Sequence, residues 1–226
     1  MKHIVVLTGA GMSAESGIKT FRDADGLWEG HDVMQVASPE GFRRNPELVL
    51  DFYNQRRRQL KTAKPNQAHK DLAALEQAYK VNIITQNIDD LHERAGSTEV
   101  IHLHGELFKV RSTRNHEDIK SWTEDLNLGD NCANGFQLRP HIVWFGEEVP
   151  MIEPAVEICE SADILVIIGT SMQVYPAAGL MQYVQPDIPI YFIDPKPALN
   201  TSVRVTVIAK SATEGVRDLK AILKKD

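Results

Sequence analysis

The segment Ile101-His102-Leu103-His104-Gly105-Glu106 sets two histidines two residues apart, on one face of a short strand that ends at a glycine. Imidazole titrates near neutral pH, so either ring could act as a general base, and spacing does not choose between them. A second polar group, Thr85-Gln86-Asn87-Ile88-Asp89-Asp90-Leu91-His92, closes an apolar run. Amides and a carboxylate at the end of a strand can orient the polar groups of a ligand, while Asn87 and Asp89 would equally serve as caps of a following helix. Near the start, Ile4 to Leu7 runs into Gly9-Ala10-Gly11-Met12-Ser13-Ala14, a G-x-G-x-x-A phosphate fingerprint. Glycines there let backbone N–H groups approach a pyrophosphate, and a helix N-terminus would add partial positive charge. The acidic residue that a hydride-transferring dehydrogenase places about 20 positions further on has no counterpart. Asp23 and Asp25 lie instead in FRDADGLWEG, a segment rich in turn formers, which disfavours that enzyme class. Late in the chain Ile168-Gly169-Thr170-Ser171 forms either a second ligand loop or an ordinary strand-to-helix turn.

These residues need a scaffold, and the apolar pattern supplies one. Runs rich in Val and Ile, bounded by Gly, Pro, Asn or Asp, recur at Ile4–Leu7, Val81–Thr85, Val100–Leu103, Ile142–Phe145, Ile164–Ile168, Ile188–Ile193 and Val203–Ile208. Such runs read as buried strands. Helical patterns separate several of them: Asn45 caps a helix that starts at Pro46, and others are expected near 67–78, 89–95, 153–161, 177–184 and 214–224. Alternating strands and helices predict an α/β fold, a Rossmann-like parallel sheet with helices on both faces. From Arg111 to Arg139 the sequence turns polar and loses its period, which predicts a small module inserted into that sheet domain. A helical segment over about 28–60 would be a further addition to one catalytic domain spanning 1–226.

At 226 residues, with 42% hydrophobic and 25% charged residues, the chain has the composition of a globular protein of one domain plus a small appendage. Its net charge of −6, with Lys and Arg dispersed, argues against nucleic acid as a partner. Two isolated cysteines, Cys132 and Cys159, form no disulfide framework and fit a reducing compartment. No apolar window approaches the roughly 20 residues that span a bilayer, and no signal peptide is evident. The expectation is a cytoplasmic monomer with no membrane partner.

Taken in order, GAGMSAESGIKTFR, TQNIDDLHERAG, HLHGEL, PHIVWFGE and GTSMQVYPAAG resemble the motifs of the sirtuin family of NAD-dependent protein-lysine deacylases. The resemblance implies that Gly9, Ala10, Gly11, Ser13, Ala14, Glu15 and Ser16, with Phe21 and Arg22, bind the phosphates and cover the nicotinamide ribose. It assigns Gln86, Asn87, Ile88 and Asp89 to the nicotinamide pocket, and Gly169, Thr170 and Ser171 to the adenosine half. In the family the histidine directly before the glycine of the HG pair is the base, which selects His104 over His102. Val143, Phe145, Gly146 and Glu147, facing Val174 and Tyr175, would clamp an acyl-lysine protein or peptide as an added strand. Asp194 and Ala212 are weaker expected cofactor contacts. NAD is then consumed: the acyl oxygen attacks the ribose carbon as nicotinamide leaves, giving an alkylimidate; His104 takes a proton from a ribose hydroxyl, which attacks the imidate, and water completes release of free lysine and O-acyl-ADP-ribose. The same activated ribose would also serve protein ADP-ribosyl transfer, the alternative reading. A silent NAD-binding module is a third, disfavoured by the joint presence of Asn87, Asp89 and His104.

A further resemblance concerns the acyl group. In DFYNQRRR, Tyr53 and Arg56 stand three apart on a predicted helix and so share a face. The branch of the family that removes succinyl and malonyl groups carries a Tyr-x-x-Arg pair in this place, where a phenol and a guanidinium bind the acyl carboxylate. The bland alternative is a solvated helix face. The sequence also departs from the family: sirtuins usually carry four zinc-binding cysteines between the histidine and FGE motifs, and here that interval holds Cys132 alone, with His116 nearby. Tetrahedral structural zinc needs four donors, so no zinc is expected.

Overall fold

The computed structural model describes residues 1–19, 27–28 and 30–224. The chain begins with β1 (His3–Thr8), buried along its length. A short antiparallel pair, β2 (Leu27–Trp28) and β3 (His31–Asp32), leads into helices α1 (Val33–Val36), α2 (Pro39–Arg44) and α3 (Pro46–Thr62). Then follow α4 (Gln67–Leu75), β4 (Lys80–Thr85), α5 (Leu91–Ala95) and β5 (Val100–His102). A three-stranded antiparallel sheet comprises β6 (Gly105–Ser112), β7 (Ile119–Ser121) and β8 (Leu138–Ile142). The chain returns through α6 (Ile152–Glu160), β9 (Ile164–Ile168), β10 (Ile190–Ile193), β11 (Val205–Ile208) and α7 (Ala212–Leu223).

The main sheet has six strands in the order β11-β10-β9-β1-β4-β5, every pair parallel. Side chains alternate across it. Ile4, Val6, Ile83, Val166 and Ile193 pack against α4 and α7 on one face, while Val5, Leu7, Ile84, Ile167 and Phe192 meet α6 and the 3-10 turn Ala177–Gln182 on the other. Burial of both faces is why the strands read as unbroken apolar runs. Local chemistry starts the helices at the expected places. Asn45 Oδ1 accepts the Leu48 N–H ahead of Pro46 in α3. Asn66 and His69 form a reciprocal capping box at the start of α4.

The structure differs from the sequence reading in several elements. The strand expected over Ile142–Phe145 ends at Ile142, because the Phe145 N–H is drawn out of the ladder to Ala37 O (2.9 Å). The helix expected over 177–184 is a 3-10 turn, and the polar stretch after Arg111 is threaded through β6, β7 and β8. Among the described residues no helix is long and apolar enough to cross a membrane.

Candidate active site

Because all six strands are parallel, the segments after β1, β4, β5, β9, β10 and β11 emerge at one edge of the sheet. The chain order reverses between β1 and β9, and a crevice opens where strand order reverses in such sheets. Both glycine loops leave the sheet there. Gly9 N–H donates to Ile168 O (3.0 Å) and Gly11 N–H to Gly169 O (2.8 Å), so the loops lie backbone against backbone. A Cβ on Gly11 would sit 2.6 Å from Gly169 Cα, and one on Gly169, whose φ is +63°, 2.5 Å from Met12 N. Those glycines are therefore required by the loop contact itself. The helix expected after the first loop is replaced by two 3-10 turns, Ala10–Met12 and Ala14–Ser16, the second ended by Gly17 in the left-handed region. The contribution of a long helix dipole is correspondingly missing there.

Ser13 joins the first loop to the segment after β4. Its hydroxyl donates to Asp89 Oδ2 (2.9 Å) and accepts from Asn87 Nδ2 (3.2 Å). Asp89 Oδ1 also accepts the Leu91 N–H at the start of α5, whose N-cap residue is Asp90 with no side-chain cap bond. Burial raises the Asp89 carboxyl to about 6, against the pull of Ser13 and the Leu91 N–H toward the charged form. Gln86 Nε2 donates to Thr170 Oγ1 (3.2 Å), tying the same segment to the loop after β9.

The geometry separates the two histidines that spacing could not. The strand ends at His102, and His104 lies in the turn before Gly105. His102 has Nδ1 3.1 Å from Asn87 O and Nε2 2.7 Å from Glu93 Oε1. Both nitrogens face acceptors, so the ring is held as a cation; burial opposes that charge, but Glu93 outweighs it and the pKa is raised. His104 has Nδ1 on Gln86 O (3.0 Å) and no protein partner at Nε2 among the described residues. A carbonyl needs a donor, so Nδ1 carries the proton and Nε2 keeps its lone pair. Burial lowers the His104 pKa, partly offset by Gln86 O, and leaves a neutral base. Gly105 is forced by its surroundings: its φ is +79° and a Cβ would meet His141 O at 2.0 Å.

Tyr53 and Arg56 do share a face of α3. Tyr53 is fully buried, and its Oη accepts the Trp144 Nε1–H (2.9 Å). Burial raises the phenol pKa, so it stays protonated. Arg56 lies with its guanidinium 3.5 Å over the Phe52 ring, within 6.0 Å of Trp28, and donates to Phe52 O. The segment after β8 carries Val143, Phe145 and Gly146, with Phe145 exposed and Gly146 at φ +88°. Tyr175 is exposed and Val174 half-buried. Glu147 spends its carboxylate on Arg139 (2.6 and 3.0 Å), Arg111 (3.2 Å) and the Trp144 N–H (2.8 Å). Its side chain thus braces the segment from within. Glu15 likewise turns to the protein, accepting Ser211 Oγ, Thr213 Oγ1 and Thr213 N at the start of α7, beside buried Ala212. Asp194 is buried and accepts the Lys196 N–H (2.8 Å). Ser16 Oγ is buried with no protein partner. Phe21 and Arg22 lie outside the described residues.

The Sir2 family profile matches residues 9–176, most of the chain and both loops of the crevice. The chain belongs to the Sir2 family. A Helicobacter pylori NAD-dependent protein deacylase is 59% identical over 221 residues, covering 97% of this chain and 96% of the relative. One from Bacteroides thetaiotaomicron is 56% identical over 230 residues, covering 99% and 98%. Among solved structures, a mutant Sir2 homologue in an ADP-ribose complex superposes with a TM-score of 0.89 at 39% identity, covering 100% of this chain and 94% of the other. A Sir2 homologue–NAD complex gives 0.86 at 40%, covering 99% and 90%.

Between β6 and β8 the sequence offers Cys132 and His116 as donors for the zinc expected from the family resemblance. Cys132 is buried among Leu50, Val110, Leu126 and Leu138, with Sγ 3.5 Å from Ser112 Oγ, while His116 is exposed. Among the described residues no three His, Cys, Asp or Glu side chains come together as a metal site. The segment is attached to α3 instead. Asn54 Nδ2 donates to Leu126 O (3.0 Å), and Asn54 Oδ1 accepts both the Leu126 N–H (2.8 Å) and Arg57 Nη1 (2.6 Å). Arg58 and Asp125 add a paired contact at the surface. Sequence reasoning missed Glu93, Asn54, Arg139 and Trp144. Only Trp144 carried a signal, since it sits between Val143 and Phe145 and alternation turns it inward.

Proposed function

We propose that this Sir2 protein is an NAD-dependent protein-lysine deacylase that accepts succinyl and malonyl as well as acetyl groups. The observation that carries the proposal is the tautomer set at His104: Nδ1 is engaged by Gln86 O, and Nε2 is an acceptor at the edge where both glycine loops emerge. The crevice fits a dinucleotide, for its backbone loops are stripped of Cβ atoms, and buried Ser16 Oγ awaits a hydrogen-bond partner. Gly9, Ala10, Gly11, Ser13, Ala14 and Ser16 would hold the phosphates, and Gly169, Thr170, Ser171, Asp194 and Ala212 the adenosine half. Glu15 acts one step back, fixing the first loop to α7. Bound NAD supplies an activated ribose carbon with nicotinamide as its leaving group.

The protein's own residues do the rest. Asn87 and Asp89, linked through Ser13, orient the ribose and a water. His104 Nε2 takes a proton from a ribose hydroxyl, making that oxygen nucleophilic. Val143, Phe145 and Gly146 with Val174 and Tyr175 hold the acylated protein segment, while Glu147 keeps the first of these strips rigid. At the acyl end, Tyr53 donates its hydroxyl proton and Arg56 swings from the Phe52 ring to pair with the carboxylate. The test is Arg56→Met. The ratio of succinyl to acetyl turnover on one peptide should fall more than about tenfold, as expected for loss of a charge-assisted hydrogen bond. An equal fall for both acyl groups would return Arg56 to a helix-face role.

A further inference from the structure

Tyr53 Oη receives the Trp144 indole N–H at 2.9 Å, with the rings stacked at a centroid distance of 6.3 Å. A phenol has one proton to give. Since Trp144 occupies the oxygen as a donor, the hydroxyl proton must point elsewhere, and among the described residues no acceptor takes it. Trp144 is itself gripped. The Arg139 guanidinium lies 3.4 Å over the Trp144 ring, and the Trp144 backbone N–H donates to Glu147 Oε2. Arg139 is in turn fixed by two contacts to Glu147 and one to Ile142 O (2.9 Å). Arg139 and Arg111 are both nearly buried, and they share one carboxylate, that of Glu147, so positive charge is in excess behind the indole. The chain of contacts runs from the segment after β8 through Trp144 to the Tyr53 hydroxyl.

We propose that Trp144 is a positioning residue for acidic acyl groups: its indole N–H, aimed by Arg139 and Glu147, directs the Tyr53 hydroxyl proton into the acyl pocket. The inference rests on the reading of Tyr53 as a carboxylate donor and deepens it. It couples acyl selectivity to the peptide-binding strip, because Val143 and Phe145 flank the residue that sets the hydroxyl.

The experiment is a double-mutant cycle, with wild type, Tyr53→Phe, Trp144→Phe and the double variant assayed on one peptide carrying succinyl- or acetyl-lysine. Phenylalanine keeps a ring under Arg139 and removes the donor together with part of the buried bicyclic surface, and the acetyl peptide reads that packing change separately. For Trp144→Phe the expected result is a rise of about tenfold in KM for the succinyl peptide with little change in its kcat, so that the succinyl-to-acetyl ratio of kcat/KM falls. Because Trp144 acts through the phenol, the double variant should be no worse than Tyr53→Phe alone. Parallel losses on both acyl groups, or penalties that add in the double variant, would overturn the inference. If Tyr53→Phe raises the succinyl KM while Trp144→Phe does not, this inference fails and the reading of Tyr53 stands. If Tyr53→Phe changes nothing, both fail together. Should Trp144→Phe not fold, 3-benzothienylalanine at position 144 replaces the N–H with sulfur in the same bicyclic shape and carries the same expectations.

Discussion

Asn54→Ala tests how the segment between β6 and β8 is held to the rest of the protein. The side chain is buried and makes three contacts: it accepts from Leu126 N and Arg57 Nη1 and donates to Leu126 O. Truncation strands an N–H, a carbonyl and one arm of Arg57, whose Nη2 already has no partner among the described residues. At about 1 kcal/mol net for each lost contact the expected destabilisation is about 3 kcal/mol. For a protein of this size that corresponds to a fall in Tm of about 6–12 °C. Thermal denaturation followed by circular dichroism reads it directly, with Asp51→Ala, an exposed position on the same helix, as the control. A chelator should leave the wild-type midpoint in place. A loss below about 1 kcal/mol would show that Asn54 does not hold the segment, and a chelator that lowers the wild-type midpoint would place the attachment in a metal.

Gly11→Ala puts a methyl carbon 2.6 Å from Gly169 Cα, so the two loops must part. Its KM for NAD should rise at least about tenfold, consistent with a misplacement near 1 Å, and a KM within twofold of wild type would show that the crevice tolerates the separation. With the His104 pKa lowered by burial, kcat/KM should rise with pH through a value below the ordinary 6.5 for histidine and then level off. An acid limb centred above 6.5 would point to another base. His69 and His92 are buried with ring centroids 4.8 Å apart, and burial takes His69 down to about 4. A histidine with a depressed folded pKa favours the native state above its unfolded value, so stability should fall as pH drops from about 6.5 toward 4, by up to roughly 3 kcal/mol. Chemical denaturation across that range, repeated on His69→Gln, should show the slope and its reduction, the remainder coming from His92 and His141, which burial also holds below 6.5; an unchanged slope would place the titration elsewhere.

The parts of the molecule legible in the sequence are those where one physical cause dominates. β1, β4 and β9 are buried on both faces, so their apolar runs needed no tertiary information. Asn45-Pro46 and the glycine loop are local chemistry and lie where spacing put them. What escaped is tertiary. Nothing in Ile101-His102-Leu103-His104 distinguishes the two rings, and the difference comes from Glu93, which reaches His102 from α5. Glu15 and Glu147 sit inside motifs whose neighbours face the crevice, yet both carboxylates turn to the protein, Glu15 to α7 and Glu147 to two arginines. The strand β7 was hidden because it is short and exposed, and β6 because its buried positions include Arg111 and Ser112 and do not alternate strictly. Short α1 and α2 present too few turns for a helical period to register.

The reading of this crevice is NAD-dependent removal of acyl groups from protein lysine, acidic ones included. Its most direct test is turnover of a single peptide carrying acetyl- or succinyl-lysine, with and without NAD, following nicotinamide release and peptide mass in the same sample. The expected result is loss of the acyl mass matched one for one by nicotinamide, strictly dependent on NAD, and with succinyl removed at least as well as acetyl. A peptide that keeps its acyl group, or gains the mass of ADP-ribose while nicotinamide is released, would contradict it.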